Sequence, residues 1–143
     1  MQTFLPYGDP VRTAKVLDNK RLGKQRVETI QIARRLLEIS EGTGWSNHPA
    51  VKMWKGHEPY LIKIYLRAIL DEWIARGFKN EKCEQHYTEL YRHVAARSAV
   101  QPRWFCESVF ESHRSRLIQK DPDFYRPLFP GTPEDLEYIW PEA

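Results

Sequence analysis

The sequence predicts an all-α, compact single-domain protein spanning residues 1–143 and ending in an irregular tail rich in proline and aromatic residues. Three observations carry this expectation. Apolar residues recur at helical spacing along most of the chain, no segment alternates like a half-buried strand, and Asp-Pro and Arg-Gly pairs stand where helices begin and end. A mean hydropathy of -0.64 with 41% apolar residues suits one globular domain of ordinary size.

Asp9-Pro10 reads as a helix cap followed by proline at the first helical position, where its missing N–H costs nothing, and Val11, Ala14 and Leu17 continue the spacing. Asp18-Asn19 ends that short helix. Gly23 is a flexible point before a stronger helix, Lys24 to Ile39, striped by Val27, Ile30, Ala33, Leu36 and Leu37. Glu41-Gly42-Thr43-Gly44 supplies its stop. Ser46-Asn47-His48-Pro49 opens a short helix through Trp54, broken by Gly56. From Tyr60 to Arg76 the residues are apolar nearly all round, which marks a central helix, and Arg76-Gly77 closes it. Asn80 caps a helix with Cys83, Tyr87, Leu90, Tyr91 and Val94 inside; another runs from about Arg103 to Gln119, and Asp121-Pro122 opens one last turn. The tail, Arg126 to Pro141, carries Leu128, Phe129, Tyr138, Ile139 and Trp140, too apolar to float free, so it is expected to lie against the helices.

The net charge of +3 conceals polarity. Between Arg12 and Arg35 eight bases face two acids, a local balance of +6, whereas Glu134, Asp135, Glu137 and Glu142 face no base after Pro130. No apolar run is long enough to span a bilayer, and MQTFLPYGDP has neither the basic start nor the apolar stretch of a secretory signal. The expectation is a cytoplasmic, monomeric protein with no membrane partner. Two cysteines, Cys83 and Cys106, are too few for a disulfide scaffold.

No P-loop, dinucleotide-binding glycine fingerprint, HExxH or GxSxG motif is present, so the sequence asks for no cofactor. Cys83, His86 and His93 span nearly three helical turns without a fourth ligand, and no metal is expected there. The basic helix mixes charge types: Arg21, Lys24, Glu28, Gln31 and Arg35 share a face if the helix persists across Gly23. Either Glu28 makes ordinary contacts with its basic neighbours, or the cations bind phosphates and Glu28 acts as acid or base on what they hold. Aromatic residues beside polar ones, Trp45 to His48, Met53-Trp54-Lys55 and Arg103-Trp104-Phe105, offer faces on which an extruded base can stack. His113-Arg114-Ser115-Arg116 and Lys120 form a third basic group, which a helix C-terminus alone also explains.

Taken in order, these groups resemble the pyrimidine-dimer DNA glycosylase family of the phage endonuclease V type and its bacterial relatives. The resemblance lies in Leu17 to Val27 (LDNKRLGKQRV), in Asn47-His48-Pro49, in the helix end Arg76-Gly77-Phe78, in Ser115-Arg116-Leu117 and in Lys120-Asp121-Pro122-Asp123-Phe124-Tyr125. It implies a helical protein that grips damaged or modified double-stranded DNA through its basic helix, extrudes a base, cleaves the glycosyl bond and then the strand. It further implies that an N-terminal α-amine attacks the sugar C1′ to give a Schiff base, assisted by a glutamate beside an arginine.

This chain departs from that pattern at both positions. Gln2 is too large to favour removal of Met1, which leaves the Met1 amine as the terminal nucleophile, and Asn19-Lys20 or Arg21-Leu22 stands where an Arg-Glu pair is expected. Glu28 can take the carboxylate role from farther along the helix, or Lys20 or Lys24 can serve as the amine. The expected catalytic residues are therefore Glu28, Lys20 and Met1. Arg21, Lys24, Arg26, Arg114, Arg116 and Lys120 are expected on DNA, with Asn47, His48 and Trp54 lining a base pocket. The rival expectations are a non-catalytic nucleic-acid-binding module and an enzyme acting on a nucleotide or other small N-glycoside.

Overall fold

The structure, a computed structural model, describes residues 1–39 and 47–142. Its regular elements are helical: α1 (Pro10–Val16), α2 (Asn19–Leu36), α3 (Pro49–Lys52), α4 (Glu58–Tyr60), a π-helical turn (Leu61–Leu66), α5 (Arg67–Ala75), α6 (Glu81–Val94), α7 (Glu107–Lys120) and α8 (Pro122–Tyr125). The stop expected at 41–44 and the Trp45-Ser46 pair lie outside the described residues. Both Asp-Pro pairs open helices as their chemistry requires. Asp9 accepts from the Val11 N–H at 2.9 Å and Asp121 from the Phe124 N–H at 3.3 Å, while proline fills the next position, where no helical acceptor is needed.

Gly23 is not a flexible break. Helix α2 runs through it, because a Cβ there would stand 3.1 Å from the Trp73 ring, so the residue lets α5 approach. Trp73 is held in place by a hydrogen bond from Nε1 to the Lys79 carbonyl, by Phe78 stacked at 4.2 Å and by the Arg26 guanidinium at 4.1 Å. Helix α4, the π-turn and α5 form one continuous rod, its backbone helical across both junctions. Leu61, Ile62, Tyr65, Leu66, Ile69 and Leu70 of this rod are buried, whereas Ile64 and Ile74 reach solvent, so it is central on most of its circumference but not all. Arg76 and Gly77, with φ of 91°, end it. Helix α7 starts at Glu107, later than expected, because Pro102 to Phe105 form a turn from which Trp104 Nε1 donates to the Met53 carbonyl at 2.9 Å.

The element absent from the helical reading is the N-terminal segment, whose residues 1–5 thread the core outside any helix before the chain bends at 6–8, with Thr3, Phe4, Leu5 and Pro6 buried. A buried segment outside any helix and with no strand partner must satisfy its backbone with side chains. Gln25 donates to the Gln2 carbonyl at 2.9 Å and accepts from the Phe4 N–H at 3.2 Å. The Tyr65 hydroxyl lies 2.8 Å from both the Phe4 carbonyl and Gln25 Oε1, and the Tyr138 hydroxyl donates to the Thr3 carbonyl at 2.9 Å. Farther along, the Leu5 N–H donates to His113 Nδ1 at 2.9 Å, and Arg114 donates to the Pro6 carbonyl at 2.7 Å.

His113 is the hub of that end. With Nδ1 accepting, its proton sits on Nε2, 3.3 Å from the Ile139 carbonyl, and its ring stacks on Tyr138 at 4.2 Å. The tail thus packs on α7 as expected, with further hydrogen bonds from Leu136 N–H to Ser115 Oγ and from Ile139 N–H to Ser112 Oγ. Burial, with Arg116 adding repulsion, pushes the His113 pKa down to about 3 against the Ile139 hydrogen bond.

Replacing Gln25 by leucine strands the Gln2 carbonyl and the Phe4 N–H, while the Tyr65 hydroxyl keeps the Phe4 carbonyl, so urea denaturation should show a loss of about 2 kcal/mol. A loss under about 1 kcal/mol would show that the ladder is dispensable. For His113, the unfolded chain takes up a proton below pH 6.5 and the folded one only near 3, so its contribution is complete above 6.5 and declines as pH falls. The decline should reach up to ~1.4 kcal/mol per pH unit. Urea midpoints of His113→Asn should fall less steeply with acidification than those of the native chain; parallel slopes would contradict this.

Candidate active-site recess

The hydrogen-bond ladder delivers residue 2 to α2. The Gln2 N–H donates to Glu28 Oε2 at 2.9 Å, one turn after Gln25, so neighbouring residues on one helical face grip consecutive groups of the segment. Around this point opens a recess of about 150 Å³ lined by Gln2, Phe4 and Gln25, by Glu28 and by the cations Lys20, Arg21, Lys24 and Lys120. Lys24 Nζ is 3.9 Å from Glu28 Oε1, and the Glu28 side chain is only 19% exposed. One carboxylate therefore stands among four cationic side chains.

Arg21 is fixed rather than free to swing. Asp18 Oδ1 is 3.3 Å and Asp121 Oδ2 is 3.8 Å from its guanidinium. The Asp18 carboxylate also accepts from the Tyr125 hydroxyl, which in turn accepts from the Asp18 N–H at 2.9 Å. Burial alone would raise the Asp18 pKa, but Tyr125 and Arg21 outweigh it and hold the carboxyl below its usual range. On the opposite wall, Lys120 closes α7. Partial burial comes first in lowering its pKa, with repulsion from Arg21, Arg116 and Lys24 adding to it and Glu28 opposing.

Met1 is partly buried against the core, and its amine lies within electrostatic reach of His48. His48 caps α3 through Nδ1, which accepts from the Ala50 N–H at 3.0 Å, so its ring proton sits on Nε2. Burial and then the charge of the amine lower its pKa, while Glu28 raises it. Trp140 of the tail meets the His48 ring edge to face at 5.8 Å.

Of the residues singled out by sequence, Glu28, Lys20, Arg21, Lys24 and Lys120 meet in the recess, with Met1 and His48 beside it. Others go elsewhere. Trp54 is fully buried, its Nε1 donating to Thr3 Oγ1 at 2.9 Å and its ring packed on Trp104 at 5.1 Å, so it has no face for a base. Arg26 turns to the far side of α2, where it donates to Asn80 at 2.9 Å and to Cys83 Sγ at 3.3 Å and lies over Trp73. Arg114 is taken up by the Pro6 carbonyl and by Glu107. Arg116 lies over the Tyr138 ring at 5.3 Å, behind Lys120, with its Nε buried and lacking a hydrogen bond. Asn47 is exposed and lines a different hollow with Arg35, Lys52 and Lys55, and Gln31 faces a third. The basic stripe therefore fans out along α2 instead of forming one site.

Gln25 and Tyr65, which place the N-terminal segment, are not singled out by sequence, and His113, read there as part of a basic group, is instead a buried acceptor for the Leu5 N–H. A glutamine one turn before Glu28 was the available signal, since an uncharged amide among cations on a helix face has no electrostatic reason to be there.

The fold and recess define a class: an all-α protein whose N-terminal residues are drawn through the core to a carboxylate ringed by cations. The sequence profile of a family described as pyrimidine dimer DNA glycosylase matches residues 1–96. The chain belongs to that family. No curated protein and no solved structure matches it. The matched region holds Glu28, His48 and the α2 wall of the recess; the α7 wall with Lys120 lies beyond it. Among the described residues, no helix is long and apolar enough to cross a membrane.

Glu28→Gln retains an acceptor for the Gln2 N–H while removing the charge that raises the His48 pKa. NMR titration should therefore show the His48 pKa falling further; an unchanged value would separate Glu28 electrostatically from the amine side of the recess.

Proposed function

We propose that the recess is the reaction centre of a DNA N-glycosylase that excises a damaged base, pyrimidine dimers first among its substrates, from double-stranded DNA and then cleaves the strand. The observation that carries this reading is the clamped N-terminus, with Glu28 bonded to the amide of residue 2 and cations around it.

In this reading the α-amine of residue 1 attacks C1′ of the damaged nucleotide. The glycosidic C–N bond breaks and the base leaves with the electron pair and acquires a proton; the attacking nitrogen loses a proton, and the C1′–O4′ bond then breaks as O4′ takes up a proton, which opens the sugar ring and gives a protonated imine. Glu28 is placed to stabilise positive charge at C1′ and then to take the C2′ proton, so that the C3′–O bond breaks and the phosphate departs. Lys20, Arg21 and Lys24 contact phosphates, with Lys120 on the opposite wall. His48 is within electrostatic reach of the amine, with Trp140 against its ring, and Asn47 sits outside this centre. Lys20 and Lys24 are the alternative amines.

Borohydride added during incubation with irradiated duplex should trap a covalent adduct at the N-terminal peptide, and Glu28→Gln should lower base release by ~10²–10⁴-fold. An adduct confined to Lys20 or Lys24 would move the nucleophile, and undiminished release by Glu28→Gln would remove Glu28 from the chemistry. Affinity for duplex should fall by roughly 0.9 log unit per phosphate contact per log unit of salt. A shallow slope would favour a mononucleotide substrate.

A further inference from the structure

The turn Asp121-Pro122-Asp123-Phe124-Tyr125 takes no part in the chemistry above, yet its first and last residues both act on Arg21. Asp121 holds the start of α8 through Oδ1, which accepts from the Phe124 N–H, and its Oδ2 stands 3.8 Å from Arg21 Nη1. Tyr125 reaches the same arginine through Asp18. Its hydroxyl donates to Asp18 Oδ1 and accepts from the Asp18 N–H at 2.9 Å, while Arg21 Nη1 donates to both Asp18 oxygens at 3.3 Å. The Tyr125 ring is fully buried and stacked on Phe129 at 5.8 Å, so its hydroxyl has a fixed origin.

Asp18 breaks a local rule to make these bonds. It stands at the N-cap of α2, where an aspartate ordinarily accepts from a backbone N–H of the first turn, but its carboxylate makes no such bond. Tyr125 and Arg21 occupy it instead. A departure of this kind from local preference marks a residue set to another task.

The hold on Arg21 falls on one nitrogen. Nη1 meets both carboxylates, and among the described residues no acceptor meets Nε or Nη2, which share the other edge of the guanidinium. That edge carries two parallel N–H groups, a fork that matches two oxygens of one phosphate. Arg21 lines the recess with a side chain only 16% exposed, so the fork is fixed before an anion enters.

We propose that Tyr125 is a positioning residue for DNA binding: through Asp18, and together with Asp121, it holds Arg21 by Nη1 so that the Nε and Nη2 edge grips one backbone phosphate bidentately. This rests on the reading of the recess as a DNA site. It also gives a reason for two acids beside a cationic recess, where their charge alone opposes phosphate and their contribution must come from geometry.

The test measures binding of the full chain to a fluorescent duplex carrying one pyrimidine dimer, by anisotropy over a range of salt. Tyr125→Phe keeps the ring and loses the hydroxyl. It should bind about tenfold more weakly, with a salt slope shallower by roughly 0.9 log unit per log unit of salt, the signature of one lost phosphate contact. Asp18→Asn separates geometry from charge. Removing an acid tightens binding to DNA if charge alone matters, whereas losing the hold on Arg21 weakens it, and weakening is expected. In an Arg21→Ala background neither substitution should weaken binding further. NMR adds a direct sign: the Arg21 Nε–H resonance should shift when duplex is added to the native chain and stay in place in Tyr125→Phe.

Native or tighter binding by Tyr125→Phe or Asp18→Asn, an equal loss in the Arg21→Ala background, native binding by Arg21→Ala itself, or an Nε–H resonance that duplex does not move in the native chain overturns the inference. If Tyr125→Phe does not fold, Asp18→Asn and its cycle with Arg21→Ala decide alone. A chain that binds duplex with the expected cycle but releases no base sinks the proposed function and leaves the inference standing. Base release with additive losses sinks the inference alone, and a chain that binds no duplex sinks both.

Discussion

The structure depends on how a buried stretch of backbone outside any helix is satisfied. Residues 3 to 6 lie inside a helical protein, where an orphaned N–H or carbonyl costs about as much as a lost hydrogen bond. Side chains from three places meet the need: Gln25 on α2, Tyr65 on the π-turn, and His113, Arg114 and Tyr138 from α7 and the tail. The same bonds that hold the segment also hold these elements to one another. The wider π-helical geometry falls on the turn that presents Tyr65, consistent with the tendency of such turns to sit where a side chain has a special task.

The ladder also explains why a carboxylate can sit close to the N-terminus. Gln25 and Glu28 are one helical turn apart, and the segment crosses α2 so that Gln25 takes the carbonyl of residue 2 and Glu28 takes its N–H. Fold and site share these bonds. Loosening Phe4 or Leu5 would displace residues 1 and 2 together, and Glu28 would lose its partner. A series of ring contacts from His113 through Tyr138 and Trp140 to His48, stacked, tilted and edge to face in turn, carries the same support to the His48 ring.

Much of the helical layout was legible because its signals are local. Asp9 and Asp121 cap their own helices, Gly77 takes the positive φ that the rod's end requires, and Val94, Leu90 and Cys83 fall inside at helical spacing, although Tyr91 of the same stripe is exposed. What failed depended on partners distant in sequence. Gly23 reads as a hinge until Trp73 is placed beside it, and Trp54 reads as a stacking platform until Thr3 takes its N–H. Within the site, Glu28 and its basic neighbours could be read from spacing on one helix. The return of the N-terminal segment could not, because its register is set by residues as far away as Tyr138.

Arginine and lysine divide the positive charge by geometry. Arg67 forks onto Glu84 at 2.8 and 3.0 Å, Arg76 ties Glu72 and Asn19 to the end of α1, and Arg26 and Arg114 brace α6 and the N-terminal segment. A planar guanidinium with several fixed donors suits such bracing. Three of the four cations lining the recess are lysines, compact charges on flexible stems that can follow a substrate, and the fourth, Arg21, is itself braced by two aspartates. A count of basic residues along α2 overstates the site for this reason. Arg26 belongs to the scaffold although it stands between Lys24 and Glu28 in sequence, whereas Lys120, nearly a hundred residues away, completes the ring.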